Sequence, residues 1–167
     1  MHSICIDYEN EASITKGFAD ALAFTDGHLD VLFNNGAYGI PALVEDLPTA
    51  ALRAIFEANF FGWHTLSRLA IAQMRKQKQG RIIQNSSVLG FAPLKFRGAY
   101  NATKFALEGL TDTMRLELHG TNIHLILVEP GPIRTRIREN AYMQFKHWIS
   151  WKGTAREAWY EQIAIPR

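Results

Sequence analysis

Four short apolar runs alternate with longer helical patterns, and this alternation constrains the fold more than any other feature of the sequence. The runs are continuously apolar, which is typical of strands buried on both faces of a parallel sheet. They predict strands at 3–6, 29–33, 81–85 and 123–128, with helices at 9–24, 49–77 and 99–119. The sequence therefore predicts an α/β fold: a doubly wound parallel sheet of about four strands, with helices on both faces.

Composition and net charge argue against several classes of binding partner. The 167 residues suffice for one domain with a real core, and the net charge of +2 argues against nucleic acid or a membrane as partner. No apolar stretch approaches the ~20 residues that span a bilayer. The six histidines are scattered, so no metal site is expected. Cys5 is the single cysteine and lies in an apolar run, which predicts a buried thiol and a reducing, cytoplasmic location.

Tyr100 and Lys104 are the first candidates for chemistry. They lie four residues apart on the predicted helix 99–119, and therefore on one face of it. A tyrosine has an ordinary pKa of ~10, and a nearby ammonium lowers that pKa by favouring the phenolate. A phenol tuned in this way can exchange a proton with an alcohol or carbonyl oxygen. An isolated pair of this kind is more often structural, so the interpretation needs further residues.

A serine provides the first support. Ser87 follows the predicted strand 81–85 and lies thirteen residues before Tyr100. Its hydroxyl can donate a hydrogen bond to the same substrate oxygen, although a loop serine is the commoner case. Ser86 is the rival candidate, and the two side chains should point in opposite directions on an extended backbone.

Three further segments carry polar or turn-forming residues at the same edge of the predicted sheet. Asn35 and Gly36 follow the strand 29–33, where such residues let the backbone approach a ligand closely. Asn59 lies inside the apolar helix 49–77, either as a satisfied core amide or as the holder of an active-site water. Pro130 and Gly131 end the fourth strand as a rigid loop. Ligands of parallel sheets bind beyond the carboxyl ends of the strands, which is where these segments lie.

Together these motifs resemble those of the short-chain dehydrogenases/reductases. The resemblance runs from residue 4 to about residue 135 and rests on their order: the Asn-Asn turn, the helix asparagine, the serine, the Tyr-x-x-x-Lys pair and the Pro-Gly loop. It implies a Rossmann-like fold and an NAD(P)-dependent oxidoreductase that moves a hydride between nicotinamide and a small-molecule carbonyl or alcohol substrate. The cofactor is NAD or NADP, which the sequence does not distinguish.

The resemblance also implies roles for single residues. Tyr100 looks like the catalytic acid/base, Lys104 like the residue that binds the nicotinamide ribose, and Ser87 like the group that orients the substrate oxygen. Asn59 looks like the fourth member, which holds a water that relays protons to Lys104. The implied cofactor contacts, beyond Tyr100 and Lys104, are Asp7 at the adenine, Asn35 and Gly36 under the adenosine ribose, and the loop of Pro130, Gly131, Ile133 and Thr135 near the nicotinamide carboxamide.

The sequence departs from the family pattern in two ways. The family's Asn-Asn-Ala-Gly turn here ends in Gly36-Ala37, and we expect the turn to survive because both residues remain small. The Gly-rich turn that cradles the pyrophosphate does not occur in the 167 residues, and neither does the family's last strand. We therefore expect residues 1–167 to form a single partial domain, truncated at both ends. Expressed alone, these residues are expected to bind NAD(H) and NADP(H) negligibly and to aggregate. The alternative is a catalytically silent protein that acts only through association, or a non-functional gene fragment.

Two expectations concern the surroundings of the site. The aromatic tail at 133–165 is expected to be helical and to cover the substrate, or else to pack on the domain or on a partner. The resemblance further implies a homo-oligomer interface formed by helices 49–77 and 99–119. A hydrolase is disfavoured because Ser86-Ser87 lacks the Gly-x-Ser-x-Gly setting of a nucleophile elbow.

Overall fold

Three parallel strands form the centre of the computed structural model, which describes residues 2–163. The strand β1 (Val31–Asn34) pairs with β2 (Gly80–Asn85), and β2 pairs on its other side with β3 (Ile123–Val128). Because all three strands run in the same direction, their carboxyl ends meet along one edge of the sheet. This edge carries most of the candidate residues, and the predicted α/β class is confirmed.

Six α-helices accompany the sheet in the described residues. Their bounds are α1 (Glu11–Phe24), α2 (Thr49–Phe56), α3 (Gly62–Gln77), α4 (Gly98–Glu117), α5 (Ile137–Trp148) and α6 (Glu157–Ile163). The predicted long helix 49–77 consists of α2 and α3 joined by a π-helical segment, Glu57–Phe61. This segment contains Asn59, and π-bulges of this kind are frequent at functional sites.

The prediction of a strand at 3–6 is wrong. These residues are irregular, and the sheet has three strands rather than about four. The half-buried Ile4 and Ile6 instead pack on α1 at Gly17, where an added Cβ would lie 2.4 Å from Cγ1 of Ile6. The outer edge of β1 has no partner strand within residues 2–163, and Phe33 on it is 52% exposed. Cys5 is exposed, contrary to the expected burial.

Two groups of buried apolar side chains make up the core. One lies between the sheet and the helices α3 and α4, and it consists of Ala70, Met74, Ile82, Met114, Leu118, Ile123 and Leu125. The other lies towards the carboxyl edge and joins α2 and the start of α4 to the tail through Ile40, Ala42, Ala51, Ile55, Phe96, Ala99, Phe145, Ile149 and Tyr160.

The tail packs on the domain through this second group. The buried Tyr160 donates a hydrogen bond from its hydroxyl to Asp46 at 2.8 Å and accepts one from the Leu43 N–H at 3.0 Å. Both α5 and α6 fall within the predicted helical tail 133–165, of which residues 164 and 165 lie outside the described part of the chain. Over residues 2–163, no helix is both long and apolar enough to cross a membrane.

Candidate active site

A buried polar network holds the carboxyl ends of β1 and β2 in register. The Asn34 amide donates to Gln84 at 2.9 Å and to Ser67 at 3.2 Å, and the Gln84 amide donates to the same Ser67 hydroxyl at 3.0 Å. All three side chains are at most 1% exposed, so the network is shielded from water. Hydrogen bonds in such surroundings strengthen one another, although Asn34 Oδ1 has no hydrogen-bond partner among the described residues. The following residues, Asn35 and Asn85, therefore start from well-defined positions.

Tyr100 and Ser87 are brought together at this edge. Tyr100 lies in the first turn of α4, half-buried, and the buried Ser87 hydroxyl lies close enough to its phenol to lower the pKa of Tyr100. Ser87 Oγ accepts from the Leu89 N–H at 3.1 Å, which leaves the serine proton free to point at the phenol. Burial raises the pKa of Tyr100, and Ser87 offsets part of that rise. The expected lowering of this pKa by Lys104 is not met in this structure, because burial dominates and only Ser87 opposes it.

The adjacent serine faces the other way. An added Cβ on Gly90 would lie 3.0 Å from Ser86 Oγ and 2.9 Å from Oε1 of Glu108, which places these two groups side by side. Burial raises the pKa of Glu108, and the Ser86 hydroxyl opposes that rise. Ser87 thus faces Tyr100 while Ser86 faces a carboxyl group on α4.

Lys104 is almost completely enclosed, with 1% of its surface exposed. Its ammonium donates to the Asn85 carbonyl at 2.7 Å, lies 4.3 Å from the centre of the Trp63 ring and 5.5 Å from the centre of the Tyr100 ring. Burial lowers the pKa of Lys104 to about 7, and the Glu108 carboxylate opposes this shift. No ion pair of the described residues involves Lys104.

Asn59 is a fully buried amide whose hydrogen bonds go to protein groups. Its Oδ1 accepts from the Tyr38 N–H at 3.1 Å, and its Nδ2 donates to the Tyr38 carbonyl at 2.8 Å. A weaker contact of 3.4 Å runs from Nδ2 to Thr103 Oγ1, whose hydroxyl donates to the Tyr100 carbonyl. Asn59 therefore joins the loop after β1 to α4, as a satisfied core asparagine does.

The Asn-Asn turn is linked to the lysine from two sides. The Asn35 side chain accepts a hydrogen bond from the side-chain amide of Asn85. The main-chain carbonyl of Asn85 accepts a hydrogen bond from the Lys104 ammonium. The Gly36 carbonyl accepts from the Trp63 indole N–H at 2.9 Å. The turn and the lysine thus form one connected unit with the end of β2.

The amino-terminal segment lies against the same turn. An added Cβ on Gly36 would lie 2.3 Å from Cε2 of Tyr8, so only glycine allows this approach of the Tyr8 ring. Asp7 is exposed, and its carboxylate accepts from the Glu9 N–H at 2.9 Å. Asp7 is therefore not joined to the cluster around Tyr100 by any hydrogen bond of the described residues.

The loop after β3 reaches the site through Pro130. The Pro130 carbonyl accepts from the Val88 N–H at 3.2 Å, which places this loop next to Ser87. No atom lies within 4 Å of a Cβ added at Gly131, and Ile133 and Thr135 are exposed. No hydrogen bond of the described residues joins these three residues to Tyr100 or Lys104.

The groups present suit the ribose and nicotinamide half of a dinucleotide. An ammonium can donate several hydrogen bonds, and Lys104 makes one among the described residues, so donors remain for ribose hydroxyls. The exposed Ile133 and Thr135 offer an apolar surface and a hydroxyl on the loop that Pro130 joins to Val88. Within residues 2–163, no group of three or more His, Cys, Asp or Glu side chains is arranged to hold a metal ion.

Trp63 and Tyr38 were not identified from the sequence, although both contact the predicted residues. The signal for Trp63 is its position four residues after Asn59, which places both on one face of a continuous helix. The sequence does not point to Tyr38, because Asn59 binds the backbone of this residue. Every residue other than proline supplies the same N–H and carbonyl groups.

Comparison with known proteins agrees with this geometry. The family model described as short chain dehydrogenase matches residues 1–145. The uncharacterized oxidoreductase YbbO of Escherichia coli (strain K12) is 38% identical over 137 residues, which cover 82% of this chain and 51% of YbbO. Human retinol dehydrogenase 8 is 39% identical over 120 residues, or 72% of this chain and 39% of that protein. The chain spans about half the length of the curated relatives it matches, or less.

Solved structures show the same fold. A short-chain dehydrogenase from Streptomyces avermitilis matches with a TM-score of 0.75 and 34% identity, over 80% of this chain and 49% of the other. A structure described as ElxO with NADP bound matches with a TM-score of 0.75 and 25% identity, over 80% of this chain and 54% of the other. The parallel sheet, the Tyr100–Ser87 contact and the family match lead to one conclusion: the chain belongs to the short-chain dehydrogenase family.

Proposed function

We propose that the protein is an NAD(P)-dependent oxidoreductase that transfers a hydride between nicotinamide and a carbonyl or alcohol substrate. The placement of Ser87 beside Tyr100 carries the proposal, because it brings two hydroxyl groups together at the carboxyl edge of a parallel sheet. The NADP bound to the related ElxO supports a nicotinamide cofactor of either type.

Tyr100 and Ser87 divide the work at the substrate oxygen. The cofactor supplies or accepts the hydride when it is bound. In the reducing direction, the Tyr100 phenol passes its proton to the carbonyl oxygen as the alcohol forms, and in the oxidising direction the phenolate takes it back. Ser87 donates its free proton to the same oxygen, which orients the substrate and polarises its C–O bond. A phenol with a raised pKa stays protonated at neutral pH, so its proton is available when negative charge develops on the substrate oxygen.

Lys104 and Asn59 act behind these two groups. Lys104 binds the nicotinamide ribose through its remaining ammonium hydrogens, and its charge favours the phenolate once Tyr100 has lost its proton. Asn59 holds the loop at Tyr38 and the backbone of α4 in place, and it stays our candidate for the holder of a relay water.

The remaining proposed cofactor contacts surround this centre. Gly36 and the Tyr8 ring form the surface that an adenosine ribose at the Asn-Asn turn would meet, with Asn35 beside it. Asp7 is placed at the adenine and needs to release the Glu9 N–H to bind it. The nicotinamide carboxamide is proposed to contact the loop after β3, at Pro130, Gly131, Ile133 and Thr135.

The tail is proposed to cover a bulky apolar substrate. An added Cβ on Gly39 would lie 3.8 Å from Cδ2 of Tyr100 and 4.0 Å from Cβ of Ala141, so α5 lies close to the reacting tyrosine. Exposed apolar side chains occur on both flanking segments, with Phe91 at 59% and Met143 at 59%. Such residues favour a hydrophobic carbonyl or alcohol over a highly charged one.

A second candidate function is association without catalysis. The helices α2 to α4 expose apolar side chains, with Phe61 at 47% and Phe105 at 44%. Exposed aromatic residues of this kind are enriched in protein interfaces. The same surface serves a homo-oligomer of an active enzyme, so it does not decide between the two functions.

Cofactor titration separates the two candidates. Purified protein is titrated calorimetrically with NAD⁺, NADH, NADP⁺ and NADPH, alongside Lys104→Met and the exposed-lysine control Lys76→Met. Because residues 1–167 contain no Gly-rich turn, we expect negligible binding by these residues alone, and the deciding titrations use protein extended at its amino terminus by a family segment that carries such a turn. In the extended protein we expect saturable binding of at least one cofactor, weakened at least tenfold in Lys104→Met and unchanged in Lys76→Met. Binding by the extended protein that is absent, or insensitive to Lys104→Met, would overturn the proposed oxidoreductase, and self-association in the same samples would then favour the second candidate.

A further inference from the structure

Trp63 makes two contacts that connect separate parts of the site. The face of its ring lies 4.3 Å from the Lys104 ammonium, and its indole N–H donates to the Gly36 carbonyl at 2.9 Å. The side chain is fully buried, so neither contact competes with solvent. One residue thus touches both the lysine on α4 and the turn after β1.

The surroundings of the lysine explain why a ring matters there. The described residues form no ion pair with Lys104, and its one hydrogen bond goes to the Asn85 carbonyl. An enclosed ammonium without a carboxylate in contact is costly. The negative face of an aromatic ring attracts a cation, most strongly when water is excluded, and tryptophan is the strongest of the aromatic side chains in this respect.

We propose that Trp63 is a positioning residue: its ring face holds the Lys104 ammonium against the Asn85 carbonyl, while its indole N–H fixes the Gly36 carbonyl of the Asn-Asn turn. The hold on Lys104 follows from the contacts alone. Its importance for turnover rests on the proposed function. No role in contact with the substrate is assigned to Trp63.

The test follows the protonation of Lys104 in the cofactor-free protein. The pKa is read from the ¹³C resonance of the lysine Cε, assigned by its loss in Lys104→Met, in wild type, Trp63→Phe and Trp63→Leu. Loss of the ring removes a contact that favours the ammonium, so we expect the pKa to fall in the order wild type, Phe, Leu. The fall in Trp63→Leu should be about one pKa unit, or about 1.4 kcal/mol. Met74→Ala, which opens the core at the other end of the sheet, should leave the Lys104 pKa unchanged.

Fluorinated tryptophan provides a test that does not depend on a substitution folding. Each added fluorine withdraws charge from the ring face while nearly preserving its shape, so the Lys104 pKa should fall stepwise with fluorine content. A Lys104 pKa that is insensitive both to fluorination and to Trp63→Phe would overturn the proposal. The titration needs no cofactor, so an inactive protein with a shifted Lys104 would contradict the proposed function while supporting the role of Trp63.

Discussion

Asn59 hydrogen bonds to both backbone polar groups of one residue, Tyr38. Its Oδ1 accepts at 3.1 Å and its Nδ2 donates at 2.8 Å, in a side chain that is fully buried. The amide therefore closes the loop after β1 onto the π-helical segment of the long helix. Asn59 therefore has a structural role, and any catalytic role would be in addition to it.

Replacing Asn59 should consequently cost stability. Asn59→Leu leaves the Tyr38 N–H and carbonyl without their partner, and we expect the free energy of unfolding to fall by about 2–4 kcal/mol. Denaturant unfolding measures this, with the exposed Asn122→Leu as the control. A loss below about 0.5 kcal/mol would show that water or another group replaces the amide.

Much of this arrangement follows from the sequence, and the exceptions have identifiable causes. The helices are marked by periodic apolar residues and the strands β1 to β3 by short apolar runs. Both signals lie within the segment itself, so these elements were predicted to within a few residues. Residues 3–6 carry the same apolar signal, but strand formation needs a partner, and Ile6 packs on Gly17 instead. The pKa of Tyr100 was expected to fall because its spacing from Lys104 is visible in the sequence. Its burial, which raises the pKa, depends on distant residues and is not visible there.

Gly62 allows the amino-terminal segment to approach the long helix. An added Cβ there would lie 2.5 Å from the Tyr8 carbonyl oxygen, which is closer than atoms can approach without displacement. We expect Gly62→Ala to displace Tyr8 and to destabilise the protein by about 1–3 kcal/mol, since overpacking has such a cost.

Gly109 provides the matched helix control, because no atom lies within 4 Å of its added Cβ. Gly109→Ala should stabilise α4 by about 0.5–1 kcal/mol through the helix propensity of alanine. Thermal unfolding of both variants checks the pair, and equal signs would contradict the close approach at Gly62.

Lys104 should make stability depend on pH. Its pKa is about 7 in the folded protein against an ordinary 10.5, so the folded state binds fewer protons than the unfolded state between these values. The free energy of unfolding should therefore rise with pH through this window, by up to about 1.4 kcal/mol per pH unit.

The comparison with Lys104→Met isolates this contribution from other titrating groups. Denaturant unfolding between about pH 7.5 and pH 9.5 should show a steeper rise for wild type than for the variant. Parallel pH dependences would mean that Lys104 keeps an ordinary pKa.

The two adjacent serines should differ in their effect on turnover. Ser87 lies close to the Tyr100 phenol and lowers its pKa, whereas Ser86 lies beside Glu108. We expect Ser87→Ala to lower kcat about 10²-fold or more, as the loss of a polarising donor does. Ser86→Ala should change kcat by no more than a few-fold, and a reversed order of effects in steady-state kinetics would remove Ser87 from the site.

Tyr100→Phe tests the central claim most directly, because it removes one hydroxyl and preserves the ring that lies near Lys104. In protein extended at its amino terminus by a segment with a Gly-rich turn, carbonyl reduction is followed by nicotinamide absorbance, and cofactor affinity is measured by calorimetry on the same preparations. The account predicts a loss of turnover of about 10²–10⁴-fold, the usual worth of a positioned proton donor, with cofactor affinity within a few-fold of wild type. Turnover that stays within a few-fold of wild type would contradict it.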